Sequence, residues 1–568
     1  DIEDAVSKGR SLRGCPYFAT RSALETADLV FAPYNYLVDP HIRETMKINL
    51  AGCIVVFDEA HNIQDSCRSS ASMEVAYPVF INTVQQLVKY KEISEALKAL
   101  YDLCANLSRW FERTLKILHA TNGFDDGKNV FDGVEVMEMF RVECGLTEES
   151  VEVFESFLPS MNEQDVNALL SGVDANDSVG KLAFEDEEKE EELSADVIFL
   201  IKKLLLTFKF LAANTDAYKL VLKRNDDSRG KRSGAGAAAR GNDMDLFYNA
   251  SFNLCLSAAV SFRNMAAGAH AVVLTSGTLS PLDSFAGELG SKFPIQVETN
   301  HVIDQEKQLL VAAVTECKGQ KLLGNYATQR TPEYQDAVGM SVSTTSKISP
   351  GGTLVFFPSY GFMEIAIARW KFTGQWEDFM DGRNGDRVSV FEEPRGSSDL
   401  DVVLEDYRAL IDEGKKAILF AVCRGKVSEG IDFANNYARS VMVVGIPYPA
   451  VKDLHVSLKK KYQDMINSNF IGEPLSGEEW YAQQAFRAIN QAVGRCIRHK
   501  ADYGAIILCD PRFQEQKVIK NMSSWLRNSV TKVRSMEELL LPMRSFFSSQ
   551  NNFHAVQKAR GSESASTS

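Results

Sequence analysis

Six short, continuous runs of apolar residues recur along the chain and constrain its fold more than any other feature. Each run is five or six residues long and rich in Val, Ile, Leu and Phe, and helical stretches separate most of them. Strands buried on both faces have this pattern, which is typical of a parallel sheet covered by helices. We therefore predict an α/β protein with doubly wound parallel sheets. The runs lie at residues 53–57, 269–274, 352–357, 417–422, 441–446 and 504–509.

Other stretches complete the predicted organisation. Residues 28–37 are also predicted to form a buried strand, and residues 76–125 and 149–222 to be mainly helical. Residues 223–244 combine Gly, Ala and charge with few large apolar side chains, which predicts a flexible loop. One apolar helix face is expected from side chains at helical spacing, namely Leu200, Ile201, Leu204, Leu205 and Phe208.

The charge of the chain is unevenly distributed. The formal net charge is −14, from 62 Lys and Arg against 76 Asp and Glu, which taken alone argues against nucleic-acid binding. Residues 185–192 alone carry −6, whereas residues 417–560 carry about +8. The net charge is therefore the sum of an acidic first part and a basic last part.

The cysteines and the apolar segments exclude several protein classes. Ten cysteines are scattered without short paired spacings, so neither a disulfide framework nor a zinc site is expected, and a reducing compartment is favoured. The most apolar long stretch, 197–213, contains three lysines and is not expected to span a membrane.

Two adjacent acids, Asp58 and Glu59, directly follow the apolar run 53–57. Ligands of doubly wound folds bind where parallel strands end, and two acids there suit a nucleotide with its magnesium ion. Asp58 would hold Mg²⁺ and Glu59 would orient the attacking water. The alternative is that both acids merely favour the N-terminus of a helix.

A second group of candidates lies near residue 495. A helix is predicted from about Tyr481 through the sequence QAVGRCIRH at 491–499. Gln491, Arg495 and Arg498 would then share one face, while other side chains pack inward. An amide and two guanidinium groups in a row suit phosphate oxygens. The alternative is a solvated basic face.

Two loops after apolar runs carry further candidates. Arg424 and Lys426 follow the run 417–422 and suit the phosphates of a nucleotide or of DNA, while Asp432 can bond a ribose or an arginine. Gly425 and Gly430 permit close backbone approach. The alternative is an ordinary strand-to-helix turn.

Thr275 and Ser276 follow the run 269–274. Small hydroxyl groups at a strand end can bond both the acids and a moving second domain. The alternative is a polar turn.

Five motifs follow one another along the chain: DEAH at 58–61, TSGT at 275–278, FFPS at 356–359, GKVSEGIDF at 425–433 and QAVGRCIRH at 491–499. In this order the chain resembles the superfamily 2 DNA helicases, and more narrowly the iron–sulfur helicases related to the xeroderma pigmentosum group D protein. The resemblance covers about residues 15–550 and is greatest to the Fanconi anaemia group J branch. Telomere-maintenance and sister-chromatid-cohesion relatives share the same motifs.

The resemblance implies a fold and a function. It implies two RecA-like motor domains and ATP-dependent 5′ to 3′ DNA unwinding in genome maintenance, of the interstrand-crosslink-repair type. The implied cofactors are ATP, Mg²⁺ and a 4Fe–4S cluster. The implied partners are single-stranded and forked DNA and repair proteins, with a nuclear location and no membrane. The implied domains are an incomplete first motor at 1–80, a helical Arch-like insertion at 81–248, a return to the first motor at 249–300, the second motor at 301–545 and a disordered tail at 546–568.

The resemblance also implies roles for individual residues. The catalytic residues are Asp58, Glu59, Arg495 and Arg498. The nucleotide-binding residues are His61, Gln491, Gly430 and Asp432. The DNA-binding residues are Arg424, Lys426, Thr275 and Ser276. Cys15, within GCPY at 14–17, matches the last of four cluster ligands.

One motif of the family is missing, because no GxxxxGK[ST] phosphate loop occurs in the sequence. No other cysteine precedes Cys15 either. We therefore expect the chain to be a piece that starts inside the first motor, with the phosphate loop and three cluster cysteines encoded upstream. The chain by itself is expected to be inactive. The alternative is a nucleotide-free scaffold that holds DNA or protein through its helical insertion.

Overall fold

The computed structural model describes residues 2–122, 129–157, 194–224, 250–252, 254–299, 302–380, 387–396, 399–469 and 475–565. They form two compact units. One comprises Asp1–Leu274 with Glu288–Lys292, and the other comprises Thr275–Gly287 with Phe293–Ser568. The acidic run at 185–192 and residues 225–244 of the predicted flexible loop lie outside the described residues.

The first unit combines short strands with many helices. Its strands are β1 (Ile54–Phe57), β2 (Val75–Ala76), β3 (Val130–Asp132), β4 (Lys219–Val221), β5 (Lys223–Arg224), β6 (Ala250–Phe252) and β7 (Ala271–Leu274). Its helices are α1 (Ile2–Leu12), α2 (Pro16–Ala23), α3 (Tyr34–Val38), α4 (Pro40–Met46), α5 (Ile63–Ser70), α6 (Tyr77–Leu87), α7 (Glu95–Ala120), α8 (Gly133–Val142), α9 (Glu148–Phe157), α10 (Ala195–Ala213) and α11 (Ala259–Ala266).

A two-stranded parallel sheet in this unit positions the first candidate residues. β1 pairs with β7, and Phe57 lies opposite Leu274 where both strands end. The predicted strands at 53–57 and 269–274 are therefore confirmed. Because the strands are parallel and in register, the residues that follow them leave the sheet at the same edge.

The predicted strand at 28–37 is wrong. α3 begins at Tyr34 behind Pro33, and the preceding residues are extended without strand pairing in the described chain. Leu29 and Phe31 are 73% and 91% exposed. An apolar run becomes a strand only where another strand offers its backbone groups, and Pro33, which has no amide hydrogen, instead begins a helix.

The helical predictions are confirmed for the described residues. α6 and α7 occupy most of 76–125. α9 begins one residue before 149–222 and α10 lies within it. The short strand β4 at the end of that stretch pairs antiparallel with β3. The predicted apolar face of α10 is buried, with at most 5% exposure at Leu200, Ile201, Leu204, Leu205 and Phe208.

The second unit is built around one large sheet. Its strands are β8 (Leu309–Cys317), β9 (Gln320–Lys321), β10 (Thr353–Phe357), β11 (Val388–Glu392), β12 (Lys416–Val422), β13 (Ser440–Val444), β14 (Gly504–Cys509) and β15 (Val530–Ser535). Its helices are α12 (Leu282–Glu288), α13 (Gln305–Gln308), α14 (Pro332–Ile348), α15 (Tyr360–Thr373), α16 (Gln375–Met380), α17 (Leu400–Asp412), α18 (Lys426–Glu429), α19 (Leu454–Asn469), α20 (Gly477–Val493), α21 (Gln516–Ile519), α22 (Ser524–Arg527) and α23 (Met536–Ala565).

The sheet order is β11–β12–β10–β13–β14–β8–β15, with every neighbouring pair parallel, and β9 pairs antiparallel with β8. Alternate residues of each central strand face opposite sides. Phe356 packs in a core that includes residues of α17 and α20, whereas Phe357 packs in a core with residues of α14, α15 and α23. The prediction of a doubly wound parallel sheet is therefore confirmed. β8, β9, β11 and β15 were not predicted.

The last helix differs from the predicted disordered tail at 546–568, because α23 extends through Ala565. Its first turns carry apolar side chains spaced three or four residues apart, and these are buried against the sheet at Met536, Leu539, Met543 and Phe547. This burial accounts for the helical start of the segment predicted to be disordered, as far as Phe547. In the described ranges, no helix has both the length and the apolarity needed to cross a bilayer.

We predict that Trp370 is a major contributor to the stability of the second unit. Its indole is fully buried, donates to the carbonyl of Gln335 (2.8 Å) and packs against Phe357 and Phe420. Trp370→Ala should lower the free energy of unfolding of this unit by about 3–5 kcal/mol. Hydrogen exchange of the β10 and β12 amides measures that free energy.

The control lies on the same helix. Phe372 is 85% exposed, so Phe372→Ala should change the same free energy by no more than about 0.5 kcal/mol. Equal losses for the two variants would contradict the described packing.

Candidate functional site

The first candidate residues leave the sheet directly after β1. The carboxylate of Asp58 accepts the amide of Glu59 (3.0 Å), and Glu59 adopts a left-handed backbone conformation with φ of 50°. The hydroxyl of Tyr34 donates to the Asp58 carbonyl, and its ring packs edge-on against Phe57 (5.5 Å). Burial, together with the charges of Asp58 and Glu59, raises the pKa of Tyr34.

His61 holds the side chain of Glu59. Its buried imidazole places Nδ1 3.2 Å from Glu59 Oε2, while the Glu59 side chain stays 63% exposed. Glu59 makes no side-chain capping bond to the short turn Ala60–Asn62 that follows it. This geometry does not support the helix-capping alternative for Glu59. It leaves an oriented carboxylate facing solvent.

Thr275 and Ser276 directly follow β7 in the chain. Ser276 Oγ accepts the amide of Thr278 (3.3 Å) and lies 3.4 Å from Thr278 Oγ1. This contact closes a local turn, as the polar-turn alternative expects. It also fixes the position of the Ser276 hydroxyl.

The structure corrects the predicted helix at 481–499. α20 begins earlier, at Gly477, with Ser476 and Glu479 forming a capping box, and it ends at Val493. Gln491 is buried near the end of this helix. Arg495 and Arg498 follow it, so these three side chains do not share a helix face. The predicted inward packing nearby is confirmed, since Val493 and Ile497 are buried in the core.

Arg495 and Arg498 nevertheless converge on one loop, residues 428–432. Arg495 donates from Nε (3.1 Å) and Nη2 (2.7 Å) to the carbonyl of Ser428, and from Nη1 to that of Ile431 (2.8 Å). Arg498 Nε lies 3.0 Å from Asp432 Oδ1. Asp432 thus bonds an arginine, one of its two predicted partners. Gly430, on this loop, is exposed and has open space where a Cβ would lie.

A buried pair that was not predicted from the sequence fixes the chain at Arg498. Asp502 Oδ2 accepts the amide of Arg498 (3.1 Å), and Asp502 Oδ1 lies 2.7 Å from Arg439 Nη1. Both side chains of the pair are at most 6% exposed, and the Arg439 guanidinium lies 3.9 Å from the Tyr503 ring centroid. A buried carboxylate needs such a partner. No pattern in the sequence indicated that Asp502 is buried and paired, because it appears there only as an isolated acid.

The turn after β12 carries the other basic candidates. Arg424 has a left-handed backbone with φ of 66°, and its guanidinium donates to the carbonyl of Gln484 (2.8 Å). Lys426 is the exposed first residue of α18. Both side chains therefore emerge at the carboxyl end of the sheet.

The predicted metal ligands are Cys15, for an iron–sulfur cluster, and Asp58, for Mg²⁺. Among the described residues, no three His, Cys, Asp or Glu side chains converge as a metal site. Cys15 is an exposed thiol before α2, and a cluster needs four thiolates, so the residues present do not form a cluster site. Asp58 is an exposed carboxylate, which fits Mg²⁺ because that ion often binds one carboxylate together with phosphates and water.

Comparison with known proteins gives two family matches. Residues 342–529 match the Helicase C-terminal domain family, and residues 1–78 match the DEAD_2 family. The chain is 36% identical over 603 residues to the Fanconi anemia group J protein homolog of Gallus gallus, covering 100% of the chain and 46% of that relative. It is 31% identical over 561 residues to the Regulator of telomere elongation helicase 1 homolog of Drosophila melanogaster, covering 93% of the chain and 54% of that relative.

The chain thus spans about half the length of the curated relatives it matches. A solved structure described as XPD helicase covers 94% of the chain, with 78% of that structure aligned, a TM-score of 0.48 and 18% identity. The two family matches, and relatives that align along the whole chain, confirm the resemblance seen in the motifs. The chain thus combines a segment that matches the DEAD_2 family with one that matches the Helicase C-terminal domain family, in line with its resemblance to the superfamily 2 helicases.

Proposed function

We propose that the full-length product is an ATP-dependent DNA helicase that moves 5′ to 3′ and acts in genome maintenance. The observation that carries this proposal is the carboxylate of Glu59. It stands at the end of a parallel strand, is 63% exposed and is held by the buried His61. An oriented, solvent-facing carboxylate at this edge suits activation of a water molecule for attack on a phosphate.

The proposal divides the nucleotide chemistry between the two acids. Asp58 would hold a magnesium ion, which neutralises phosphate charge when it is bound. Glu59 would accept a hydrogen bond from the attacking water, and His61 would keep its carboxylate in place. Gln491, Gly430 and Asp432 would complete the nucleotide-binding set.

The two arginines would have different tasks. Arg495 directs three guanidinium nitrogens to the carbonyls of Ser428 and Ile431, so it would hold the 428–432 loop. The Arg498 side chain is 30% exposed and faces the 70% exposed Asp432. A surface ion pair of this kind is worth only about 0–1 kcal/mol, so Arg498 could leave it to contact a phosphate.

DNA would bind through the exposed basic and hydroxyl side chains at strand ends. Arg424, Lys426, Thr275 and Ser276 suit the sugar–phosphate backbone, which single-strand-binding proteins contact without reading sequence. In this proposal residues 1–80 and 249–300 form part of the first motor, 81–248 the Arch-like insertion and 301–545 the second motor. A nuclear location, a 4Fe–4S cluster completed by upstream cysteines and repair-protein partners belong to the same proposal.

The relatives favour two biological settings. The relative named for Fanconi anemia group J is 36% identical, which favours crosslink repair. Several relatives named as regulators of telomere elongation are 30–31% identical over 93% of the chain, which keeps a telomere-maintenance role as the second candidate.

The test of the proposed chemistry is Glu59→Gln in the full-length product. The amide cannot take up a proton, so DNA-stimulated ATP hydrolysis should fall by about 10²-fold or more, while affinity for single-stranded DNA stays within about twofold. The control is Glu44→Gln, which alters an exposed acid on α4 of the same unit and should leave hydrolysis unchanged. Wild-type protein that binds DNA without hydrolysing ATP would favour the scaffold alternative.

Lysine substitutions of Arg495 and Arg498 distinguish the tasks proposed for these two residues. Arg498→Lys should lower ATP hydrolysis by about 10²-fold or more, because lysine lacks the planar fork that binds phosphate oxygens. Arg495→Lys should speed amide exchange in the 428–432 loop about tenfold or more, since hydrogen bonds to charged groups contribute about 1.5–3 kcal/mol.

Arg498→Lys should leave the exchange rate of the loop within about threefold of wild type. Exchange that increases in Arg498→Lys and not in Arg495→Lys would refute this division of tasks.

A further inference from the structure

Three neighbouring strands of the second unit end at one edge beside an acid that the proposed chemistry does not use. β11, β12 and β10 are adjacent and parallel. Glu393 directly follows β11 and is 2% exposed, which is rare for a carboxylate. Its own amide donates to the carbonyl of Phe420 on β12 (2.8 Å), so its backbone is tied to that strand.

The Glu393 carboxylate spans the turn that follows β12. Oε2 accepts the amide of Val422 (2.8 Å), and Oε1 accepts the amide of Val427 (3.2 Å). These two donors stand at the two ends of the turn 422–427. One carboxylate therefore satisfies a peptide group on each side of Arg424 and Lys426, and it fixes the distance between the ends of the turn.

The surroundings are shaped to admit this carboxylate. A Cβ on Gly425 would lie 2.5 Å from Glu393 Oε1, 2.7 Å from Oε2 and 2.8 Å from the Val422 carbonyl oxygen, so any side chain there would displace the carboxylate or the turn. On its other side lies Tyr360, from the segment after β10. Burial raises the pKa of Tyr360 to about 12, with added contributions from the charge of Glu393 and a hydrogen bond to it. The carboxylate thus links the ends of all three strands.

The turn needs such support, because Arg424 sits at a φ of 66°. Residues other than glycine rarely adopt this conformation, and surrounding contacts must hold it. The turn carries two exposed cations, Arg424 and Lys426, with Arg424 further held by the carbonyl of Gln484. The direction in which both cations point depends on the shape of the turn.

We propose that Glu393 is a positioning residue that holds the turn 422–427 in the conformation in which Arg424 and Lys426 bind the phosphates of single-stranded DNA. This inference rests on the proposed function for the DNA-binding role of the two cations. Glu393 itself touches no DNA. It acts by accepting two amides at fixed points, which a glutamine, with one oxygen and one NH₂ group, cannot do.

The direction in which Glu393→Gln changes the affinity for DNA distinguishes a positioning role of Glu393 from a purely electrostatic one. Glu393→Gln removes a negative charge near two cations, and by Coulomb attraction alone this would strengthen binding to an anionic backbone. Loss of positioning weakens binding instead. A matched control is the adjacent Glu392→Gln, since the Glu392 side chain is 41% exposed and pairs with Lys371 (3.2 Å).

The experiment measures the affinity of the full-length product for a dT oligonucleotide over a range of salt concentrations, together with the KM for ATP without DNA. Glu393→Gln should weaken DNA binding about tenfold and make the salt dependence shallower, since each lost phosphate contact lowers the slope by about 0.7. The KM for ATP should stay within twofold. Glu392→Gln should bind DNA as the wild type does or slightly more tightly.

A second variant, Gly425→Ala, tests the same role of Glu393 in case Glu393→Gln does not fold. Gly425→Ala keeps Glu393 but crowds both its carboxylate and the Val422 carbonyl, so the turn loses this support and DNA binding should weaken in the same way. Wild-type affinity in either variant, or an equal loss in Glu392→Gln, overturns the positioning role while leaving the proposed function intact. A wild-type protein that fails to bind the oligonucleotide overturns the proposed function and this inference with it.

Discussion

Buried charged side chains hold the loops before and after the parallel strands of the second unit, and the candidate site there depends on them. Where a strand begins or ends, its peptide groups lose their partners in the sheet and must find others. Glu393 accepts the amides of Val422 and Val427, and Asp502 accepts the amide of Arg498. Each buried acid therefore sets the shape of a loop whose exposed side chains are basic.

In this arrangement, the side chains that support the loops differ from those that are free to contact a ligand in solvent. The supporting groups, Glu393, Asp502 and Arg439, are at most 6% exposed, whereas Arg498 and Lys426 reach solvent. A ligand could therefore bind the exposed side chains without first ordering the loops beneath them, which lowers the entropic cost of binding.

Much of the sheet and the location of the site could be predicted because parallel strands have a strong local signal. Six apolar runs were correctly predicted as strands. Asp58 and Thr275 directly follow two of them, and Arg424 lies two residues after a third. The signal failed where tertiary context decided the outcome. The apolar segment around Phe31 is exposed, and β11, whose sequence alternates apolar with polar residues, was missed.

The supporting contacts could not be predicted, because they join residues far apart in sequence. Glu393 stands 29 and 34 residues from its two amide donors, and Arg495 stands 67 residues from Ser428. The helix expected to continue through Arg495 ends at Val493, directly before Gly494, which is a poor helix former, and the arginine turns to the carbonyls of another loop. No local pattern in the sequence indicates which distant carbonyls Arg495 contacts.

The most direct test of the account is hydrogen exchange of the full-length product, measured with and without a non-hydrolysable ATP analogue and single-stranded DNA. We expect slower exchange in the loops after β1 and β12, at 58–61 and 424–432, and in the segment 495–499 between α20 and β14. Exchange should be unchanged at 413–415, before the amino end of β12. Protection at 413–415, with none in those three segments, would contradict the roles proposed for Glu59, Arg424 and Arg498.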